Sequence, residues 1–296
     1  MTHHAGRLAG LFLALACAAP VMACQDRQAA VDAVEAGDFA RAETLQQQIS
    51  VDPACDDALR LWLDEAVARN YFARAMAADT TQDQRALLEA SVGFFPHWRS
   101  YSALGDLAAL SGAHTEAARQ YQQAINQMND GPNHHSATED EAQQLITRTA
   151  NAMLLADRAV DVPVTRSGTP GGIFIENLRG YQVEEVSLAI EFVFDSTDLT
   201  PKGQQYADKL FDYLQERQPP RIVLEGHTDP VGASDYNDRL SLRRAERLKA
   251  YLEARGYSGT IGVVGRGETM VPPAPSGAVP DSPEHHQIAR RVVLIR

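Results

Sequence analysis

Small and apolar residues recur three and four positions apart along residues 26–160, with polar breaks at short intervals and no runs of β-branched residues. This spacing is that of helices with one buried face. The pattern predicts seven helices, over residues 26–36, 39–50, 56–78, 82–92, 98–111, 114–128 and 138–158. Short helices joined by short breaks are typical of stacked helical hairpins.

The pattern changes in the last third of the chain, where strands and helices alternate. The predicted strands cover residues 186–194, 221–225, 261–264 and 291–295, and the predicted helices cover 200–215 and 236–254. The order β-α-β-α-β-β predicts an α/β sandwich, with helices on one face of a small mixed sheet. Residues 270–287 are rich in proline and show no helical pattern.

Between these two regions, residues 161–186 bring prolines and glycines such as the Thr169-Pro170-Gly171-Gly172 turn. We therefore predict a helical domain over residues 24–160, a linker over 161–186 and an α/β domain over 187–296. The charge distribution supports this division. Residues 187–296 hold 14 basic and 15 acidic side chains, whereas residues 1–186 hold 13 basic and 24 acidic ones.

The net charge of the whole chain is −12 at pH 7, and this narrows the classes of partner that the protein can bind. A general nucleic-acid binder gains its affinity by neutralising phosphates, and a protein that adheres to an anionic membrane also needs basic residues. The composition argues against both classes.

The first residues predict export. An apolar run over residues 8–19 is followed by Pro20 and by small residues up to Ala23, which is the pattern of a secretory signal peptide over residues 1–23. The run is shorter than the ~18–20 residues that span a bilayer, and no later run is as long. We expect an exported protein without a transmembrane helix of its own.

Two cysteines follow that segment, and two interpretations of them stay open. Cys24 follows Val21-Met22-Ala23, which resembles a loose bacterial lipobox, so Cys24 is a candidate for lipidation and outer-membrane association. Alternatively, Cys24 and Cys55 form a disulfide, worth about 3–4 kcal/mol in the chain-entropy model. The disulfide is favoured because lipidation would leave Cys55 as a lone thiol in an oxidising compartment.

One helical pair carries a more specific pattern. Gly105 precedes a turn at Gly112, and Ala117, Tyr121 and Ala124 follow at spacings of four and three. The pair resembles a tetratricopeptide repeat. Gly37 and Ala42, which have the same spacing as Gly112 and Ala117, indicate a second, weaker copy of this pattern earlier in the chain. The resemblance implies a groove for a protein partner, or alternatively a spacer. The aromatic residues nearby fit a helical core better than a binding patch: Phe94, Phe95, Trp98 and Tyr101. His134 and His135 are expected in a solvated loop.

The α/β region contains a candidate site. Asn237 and Arg244 are seven residues apart on the last long helix, so they lie about 20° from each other on one face. Asp229 leaves a buried strand just before that helix. A carboxylate and a guanidinium facing one crevice suit a zwitterion, with Asp229 holding an ammonium and Arg244 a carboxylate. The alternative is that Asp229 and Arg244 simply pair with each other.

An ordered series of motifs runs through this region, and it resembles the OmpA-like peptidoglycan-binding domain found in OmpA, Pal and MotB. The residues that carry the resemblance are Phe192–Asp195, Glu225–Asp229, Gly232, Tyr236-Asn237, Leu240-Ser241, Arg244-Ala245, Gly265–Glu268 and Arg290–Val292. The resemblance implies that Asp229 and Arg244 clasp the diaminopimelate of the stem peptide, and that Asn237 and Thr228 are the motif asparagine and threonine. The sequence departs from the family at Ala289, where an asparagine contact is lost.

These patterns predict a non-catalytic protein of the periplasm or cell envelope that binds peptidoglycan, with the helical repeats as a partner-binding or spacer module. The alternative is an interaction adaptor whose α/β domain binds the wall weakly or not at all. No convincing pair of catalytic groups and no cofactor or metal pattern is found in the sequence. His227 is expected to be a hydrogen-bonded histidine at a strand end, and His285 and His286 are expected on a surface loop.

Overall fold

The computed structural model describes residues 24–130, 137–160, 177–178, 181–182 and 185–295. The predicted signal peptide, His134 and His135, and most of the predicted linker lie outside these residues. The chain divides into two compact units, Met1–Leu63 and Asp64–Arg296.

The described residues of the N-terminal region contain seven helices, each within a few residues of its predicted position. They are α1 (Arg27–Glu35), α2 (Phe39–Val51), α3 (Asp57–Met76), α4 (Thr81–Phe94), α5 (Trp98–Leu110), α6 (His114–Asp130) and α7 (Glu139–Leu155). Polar N-cap side chains fix the first residue of several of these helices. Asp38 accepts a hydrogen bond from the Arg41 N–H, and Thr138 forms a reciprocal capping box with Glu141. The prediction of a helix-rich N-terminal region is confirmed.

The first unit contains α1, α2 and the beginning of α3. Ala30, Ala42, Leu45 and Ile49 form its buried apolar positions at helical spacing. Cys24 and Cys55, the pair for which a disulfide is predicted, are joined by one. In this form Cys24 has no free thiol to carry a lipid.

In the second unit, α5 and α6 meet where the repeat-like pattern places small residues. A Cβ atom on Gly105 would lie 2.5 Å from two ring carbons of Tyr121, so only glycine allows this close approach. The Tyr121 hydroxyl donates to Asp106 Oδ1 at 2.8 Å, and Arg148 pairs with the same carboxylate at 3.1 Å. The contact matches the expected packing of a small residue against an aromatic ring, while a tetratricopeptide repeat as such stays a prediction.

A four-stranded mixed sheet forms the α/β region. Its strands are β3 (Glu185–Leu188), β4 (Arg221–Gly226), β5 (Thr260–Gly265) and β6 (Val292–Ile295), in the spatial order β3-β6-β4-β5, and a short hairpin of β1 (Asn177–Leu178) and β2 (Tyr181–Gln182) precedes them. β4 and β5 are parallel, and the other two pairs are antiparallel. One face is covered, because Val186, Ile222, Leu224, Val292 and Leu294 are almost fully buried.

Helices α8 (Pro201–Arg217) and α9 (Ser234–Ala254) correspond to the two predicted helices. α9 packs closely on the end of β4, because a Cβ atom on Gly226 would lie 2.0 Å from the Ser241 carbonyl oxygen. The predicted class, an α/β region with a small mixed sheet, is confirmed.

Two local predictions in this region are wrong. The first strand ends at Leu188 instead of continuing to 194, and beyond it Phe192 makes only an isolated bridge with Leu199. The proline-rich stretch contains a further helix, α10 (Pro283–Ala289), which starts with Ser282 accepting from the His285 N–H.

His285 is also not on a surface loop. It lies on α10 and is buried, with Nδ1 accepting from the Asp281 N–H at 2.9 Å and Nε2 lying 2.7 Å from the Pro272 carbonyl oxygen. His286 lies on the same helix and is partly buried.

Helix α7 and the sheet belong to one apolar core within the second unit. Leu145 and Met153 of α7 cluster with Val186 of β3 and Leu210 of α8. Lys202 of α8 donates to the carbonyl oxygens of Leu154 and Ala156 at 2.7 and 2.8 Å. None of the helices in the described part of the chain is both long and apolar enough to cross a bilayer.

Candidate ligand-binding site

The loop after β4 places Asp229. The backbone N–H groups of His227 and Thr228 donate to Arg291 and Gly267, each at 2.9 Å, which holds the chain against β6 and the loop after β5. Asp229 follows and is almost completely buried, with an exposed fraction of 6%. Its Oδ1 accepts from the Val231 N–H at 3.0 Å, so the carboxylate closes a tight turn.

The second oxygen of this carboxylate is held by Arg290, which lies between α10 and β6. Arg290 Nη1 lies 2.6 Å from Asp229 Oδ2. The alternative in which Asp229 pairs with Arg244 is therefore not the observed arrangement. Arg290 belongs to the motif series of this region, but its pairing with Asp229 could not be predicted from the sequence, because it depends on how β6 lies beside β4.

Asn237 and Arg244 both project from the buried face of α9, as the seven-residue spacing predicts, with exposed fractions of 3% and 2%. Asn237 Nδ2 donates to the carbonyl oxygens of Asp229 and Val231, each at 3.3 Å. Asn237 therefore fixes the loop that presents Asp229.

Arg244 has an incomplete set of partners. Its Nε donates to the Ser196 carbonyl oxygen at 3.1 Å, and its guanidinium lies 5.3 Å from the centre of the Phe192 ring. Its Nη1 is buried without a hydrogen-bond partner among the described residues. Burial, together with the positive charge of Arg290, lowers the pKa of Arg244 to about 10, so the side chain remains cationic at neutral pH.

These groups face a small, open cleft with a volume of about 50 Å³. Its lining residues are Phe194, Asp195, Thr228, Asp229, Val231, Tyr236, Asn237, Leu240, Arg244 and Arg290. All four predicted site residues are thus brought together. The hydroxyl of Thr228 is buried and, like Arg244 Nη1, has no partner among the described residues.

The rim contains residues that sequence reasoning missed as site residues. Asp195 adopts a positive φ of 53°, and the Tyr236 hydroxyl donates to its carboxylate. Phe194 beside it is 77% exposed, although it is a large apolar side chain. The sequence did contain a signal for them, because the motif series that resembles the OmpA-like domain includes Phe194, Asp195 and Tyr236. The cleft therefore combines two guanidinium groups, two carboxylates and an apolar rim.

His227 differs from its prediction. It is buried at the end of β4, but neither ring nitrogen has a hydrogen-bond partner among the described residues. Burial, with a smaller contribution from the cation of Arg291, lowers the pKa of His227 to about 4, so the ring is neutral at pH 7. The expectation of a hydrogen-bonded histidine is wrong.

Within the described residues, one group has the spacing of metal ligands: Cys24, Asp52 and Cys55. Both sulfur atoms of this group are in the disulfide, so neither is a thiolate that would bind a metal.

Comparison with known proteins identifies the region around the cleft. Residues 191–280 match the OmpA family. These residues form an OmpA family domain. The matched segment contains Asp229, Asn237 and Arg244, whereas Arg290 lies just beyond it.

Curated relatives match less than a third of this chain. Outer membrane protein A of Shimwellia blattae is 38% identical over 81 residues, which cover 26% of this chain and 34% of that protein. The peptidoglycan-associated lipoprotein of Haemophilus influenzae is 34% identical over 97 residues, which cover 31% of this chain and 63% of that protein. The chain thus spans less than two thirds of the length of each.

Solved structures match a little over a third of this chain. The peptidoglycan-associated lipoprotein from Burkholderia pseudomallei is 24% identical, and the alignment covers 38% of this chain and 89% of that one with a TM-score of 0.32. The periplasmic domain of Helicobacter pylori MotB is 20% identical, with coverage of 37% and 77% and a TM-score of 0.31.

Proposed function

We propose that this protein binds peptidoglycan by holding the zwitterionic end of a diaminopimelate side chain in the cleft of its OmpA family domain. The observation that supports this most directly is Arg244 Nη1, a buried cationic donor without a partner among the described residues. A buried donor left unpaired costs about 1–3 kcal/mol, and more when it is charged. A ligand carboxylate would remove that cost.

The remaining groups suit the rest of such a ligand. The ammonium group of such a ligand would be attracted by the negative charge of Asp229. The Asp229 side chain is buried and is held in one orientation by Val231 and Arg290. The Thr228 hydroxyl offers one more hydrogen bond inside the cleft. With two cations and two carboxylates, the cleft is formally neutral, as a site for a zwitterion needs to be.

The wider organisation is part of the proposal. We infer an exported protein of the periplasm or cell envelope, built of a helical domain over residues 24–160, a linker over 161–186 and the wall-binding domain over 187–296. The helical region would bring or space a protein partner.

The test is cosedimentation with purified peptidoglycan sacculi. Arg244→Met removes the guanidinium and keeps much of its apolar stem, and Arg243→Met changes the exposed neighbour on the same helix. We expect Arg244→Met to weaken binding at least about tenfold, the effect of losing a charge-assisted hydrogen bond, while Arg243→Met binds like the wild type. Arg244→Met also loses the hydrogen bond from Nε to the Ser196 carbonyl oxygen, so circular dichroism must show that the variant is folded before its binding is compared.

A second experiment changes the ligand instead of the protein. Sacculi with lysine in place of diaminopimelate lack the terminal carboxylate, so the wild type should bind them as weakly as Arg244→Met binds ordinary sacculi. Equal retention of Arg244→Met and wild type on diaminopimelate sacculi would contradict the proposal.

Equally weak retention of both proteins would favour the adaptor alternative, in which the domain binds the wall weakly or not at all. The salt bridge between Asp229 and Arg290 supports this second candidate, because the carboxylate already has a cationic partner. Saturable binding of free diaminopimelate to the full chain, lost in Asp229→Asn, would exclude it.

A further inference from the structure

A second cavity lies among the helices of the unit Asp64–Arg296, with a volume of about 360 Å³. Helix α3 lines it with Glu65, Ala68, Arg69 and Phe72, whose spacing of three and four residues puts them on one helix face. The opposite wall comes from the junction between α4 and α5. This volume is at the lower end of the range for ligand pockets, roughly 300–1,000 Å³.

The polar groups at the base of the cavity satisfy one another. The Ser91 hydroxyl donates to the Ala68 carbonyl oxygen at 2.9 Å, and the hydroxyls of Ser91 and Ser100 lie 2.9 Å apart. Both serines are fully buried. What remains for a ligand at the base is apolar surface, including the aromatic ring of Phe95.

His97 supplies a polar group with defined character. Its Nδ1 accepts from the Arg99 N–H at 3.2 Å as the N-cap of α5. Burial, with a smaller contribution from Arg99, lowers the pKa of His97 to about 4, so the ring is neutral and its proton is on Nε2. Nε2 makes no hydrogen bond to the described part of the chain and is therefore a donor for a ligand.

The rim adds further N–H donors. Arg69 pairs with Glu65 at 2.7 Å, but its side chain is 64% exposed, and a guanidinium has five N–H donors. Arg99 stacks on the Trp98 ring at 4.2 Å and pairs with Glu141 at 2.8 Å. The two guanidinium groups and the two carboxylates carry no net charge, so the ligand is selected by hydrogen bonds: its polar part must accept from the imidazole of His97 and from Arg69.

We propose that this cavity binds the C-terminal residue of a partner polypeptide, with its apolar side chain against Phe72 and Phe95 and its carboxylate near His97 and Arg69. The volume accommodates one large side chain with its carboxylate, and the rest of such a partner lies outside. The proposal is independent of the peptidoglycan cleft, and it specifies the partner-binding role inferred for the helical region.

Isothermal titration of the full chain with acetyl-Gly-Gly-Phe tests this, in the free-acid form and as the C-terminal amide. We expect the acid to bind at least about tenfold more tightly than the amide. Arg69→Ala should remove most of that preference. Arg74→Ala, an exposed arginine further along α3 that does not line the cavity, should leave it unchanged.

Three results would overturn the proposal. These are equal affinities of acid and amide, an unchanged preference in Arg69→Ala, and no binding of either peptide at about millimolar concentration. Tighter binding of acetyl-phenylalanine than of the tripeptide would also overturn it, because the site would then select a free small acid. Arg69→Ala should still bind sacculi and Arg244→Met should still bind the peptide, so failures of the two proposals are distinguishable.

Discussion

Lys202 connects the helical region to the sheet, and its replacement tests whether the two unfold together. Its side chain is only 10% exposed, and its Nζ donates to the carbonyl oxygens of Leu154 and Ala156 at the C-terminal end of α7. A cation at this end of a helix also interacts favourably with the helix dipole. Lys202→Met keeps the buried stem and removes only the charged donor.

The expected magnitude follows from the two hydrogen bonds. A hydrogen bond from a charged group contributes about 1.5–3 kcal/mol. The Leu154 oxygen keeps a second donor, because the Gln287 side-chain amide lies 2.7 Å from it. The bond to Ala156 is lost without replacement, as is the ion pair between Nζ and Glu191 at 3.5 Å, and we expect Lys202→Met to lower the free energy of unfolding by about 2–3 kcal/mol.

Tryptophan fluorescence during urea unfolding provides the assay, because both tryptophans, Trp62 and Trp98, are in the helical region. In a Trp62→Phe background, Trp98 of α5 alone reports on helices of the second unit. If α7 and the sheet unfold as one, Lys202→Met will lower the urea concentration at which the Trp98 fluorescence is halfway through its transition. Lys249→Met is the control, because Lys249 is partly exposed and pairs with Glu253 in an i,i+4 ion pair. It should change the free energy of unfolding by less than about 0.5 kcal/mol.

An unchanged Trp98 midpoint in Lys202→Met, with a shift seen only by circular dichroism, would refute the shared core as a cooperative unit.

Three further outcomes follow from single features. The pKa of buried His227 is lowered from 6.5 to about 4, so only the unfolded state gains a proton between these pH values. Acidification through this range should therefore lower the free energy of unfolding by up to about 3 kcal/mol, and urea titrations of His227→Leu should show a weaker pH dependence. Gly226→Ala places a Cβ atom 2.0 Å from the Ser241 carbonyl oxygen and should lower stability by several kcal/mol or prevent folding, as measured by circular dichroism. Removing the Cys24–Cys55 disulfide by a double serine substitution should cost about 3–4 kcal/mol in the first unit, and the intact mass of the purified protein with and without reductant should show the bond.

The helices could be predicted closely because their signals are local. Apolar spacing marks the buried face, and residues such as Asp38 and Thr80 stand at helix starts where their side chains cap the first turn. The glycine of the repeat-like pattern has a local signal as well, since Gly105 allows the Tyr121 ring to approach. None of these features depends on the arrangement of distant strands.

The end of the first strand of the sheet could not be predicted in this way. Apolar alternation continues to Phe194, but β3 pairs only with the four residues of β6, and Leu188 lies opposite Val292, the first of them. Beyond that pair no neighbouring strand among the described residues offers hydrogen bonds, so the chain leaves the sheet. Helix α10 had a local signal that was overlooked, because Ser282-Pro283 is a good helix start inside a segment whose prolines suggested a loop.

The site shows the same division between local and long-range information. The seven-residue spacing was enough to place Asn237 and Arg244 on one buried face of α9, since that relation lies within one helix. The pairing of Asp229 with Arg290 depends instead on β4 and β6 being antiparallel neighbours, with Gly226 opposite Val292. That register brings the residue three positions after β4 ends beside the residue two positions before β6 begins. Arg290 thus pairs with Asp229, whereas Arg244 Nη1 has no partner among the described residues. If the cleft binds a zwitterion as proposed, we therefore expect the carboxylate of that ligand to gain more from the cleft than its ammonium does.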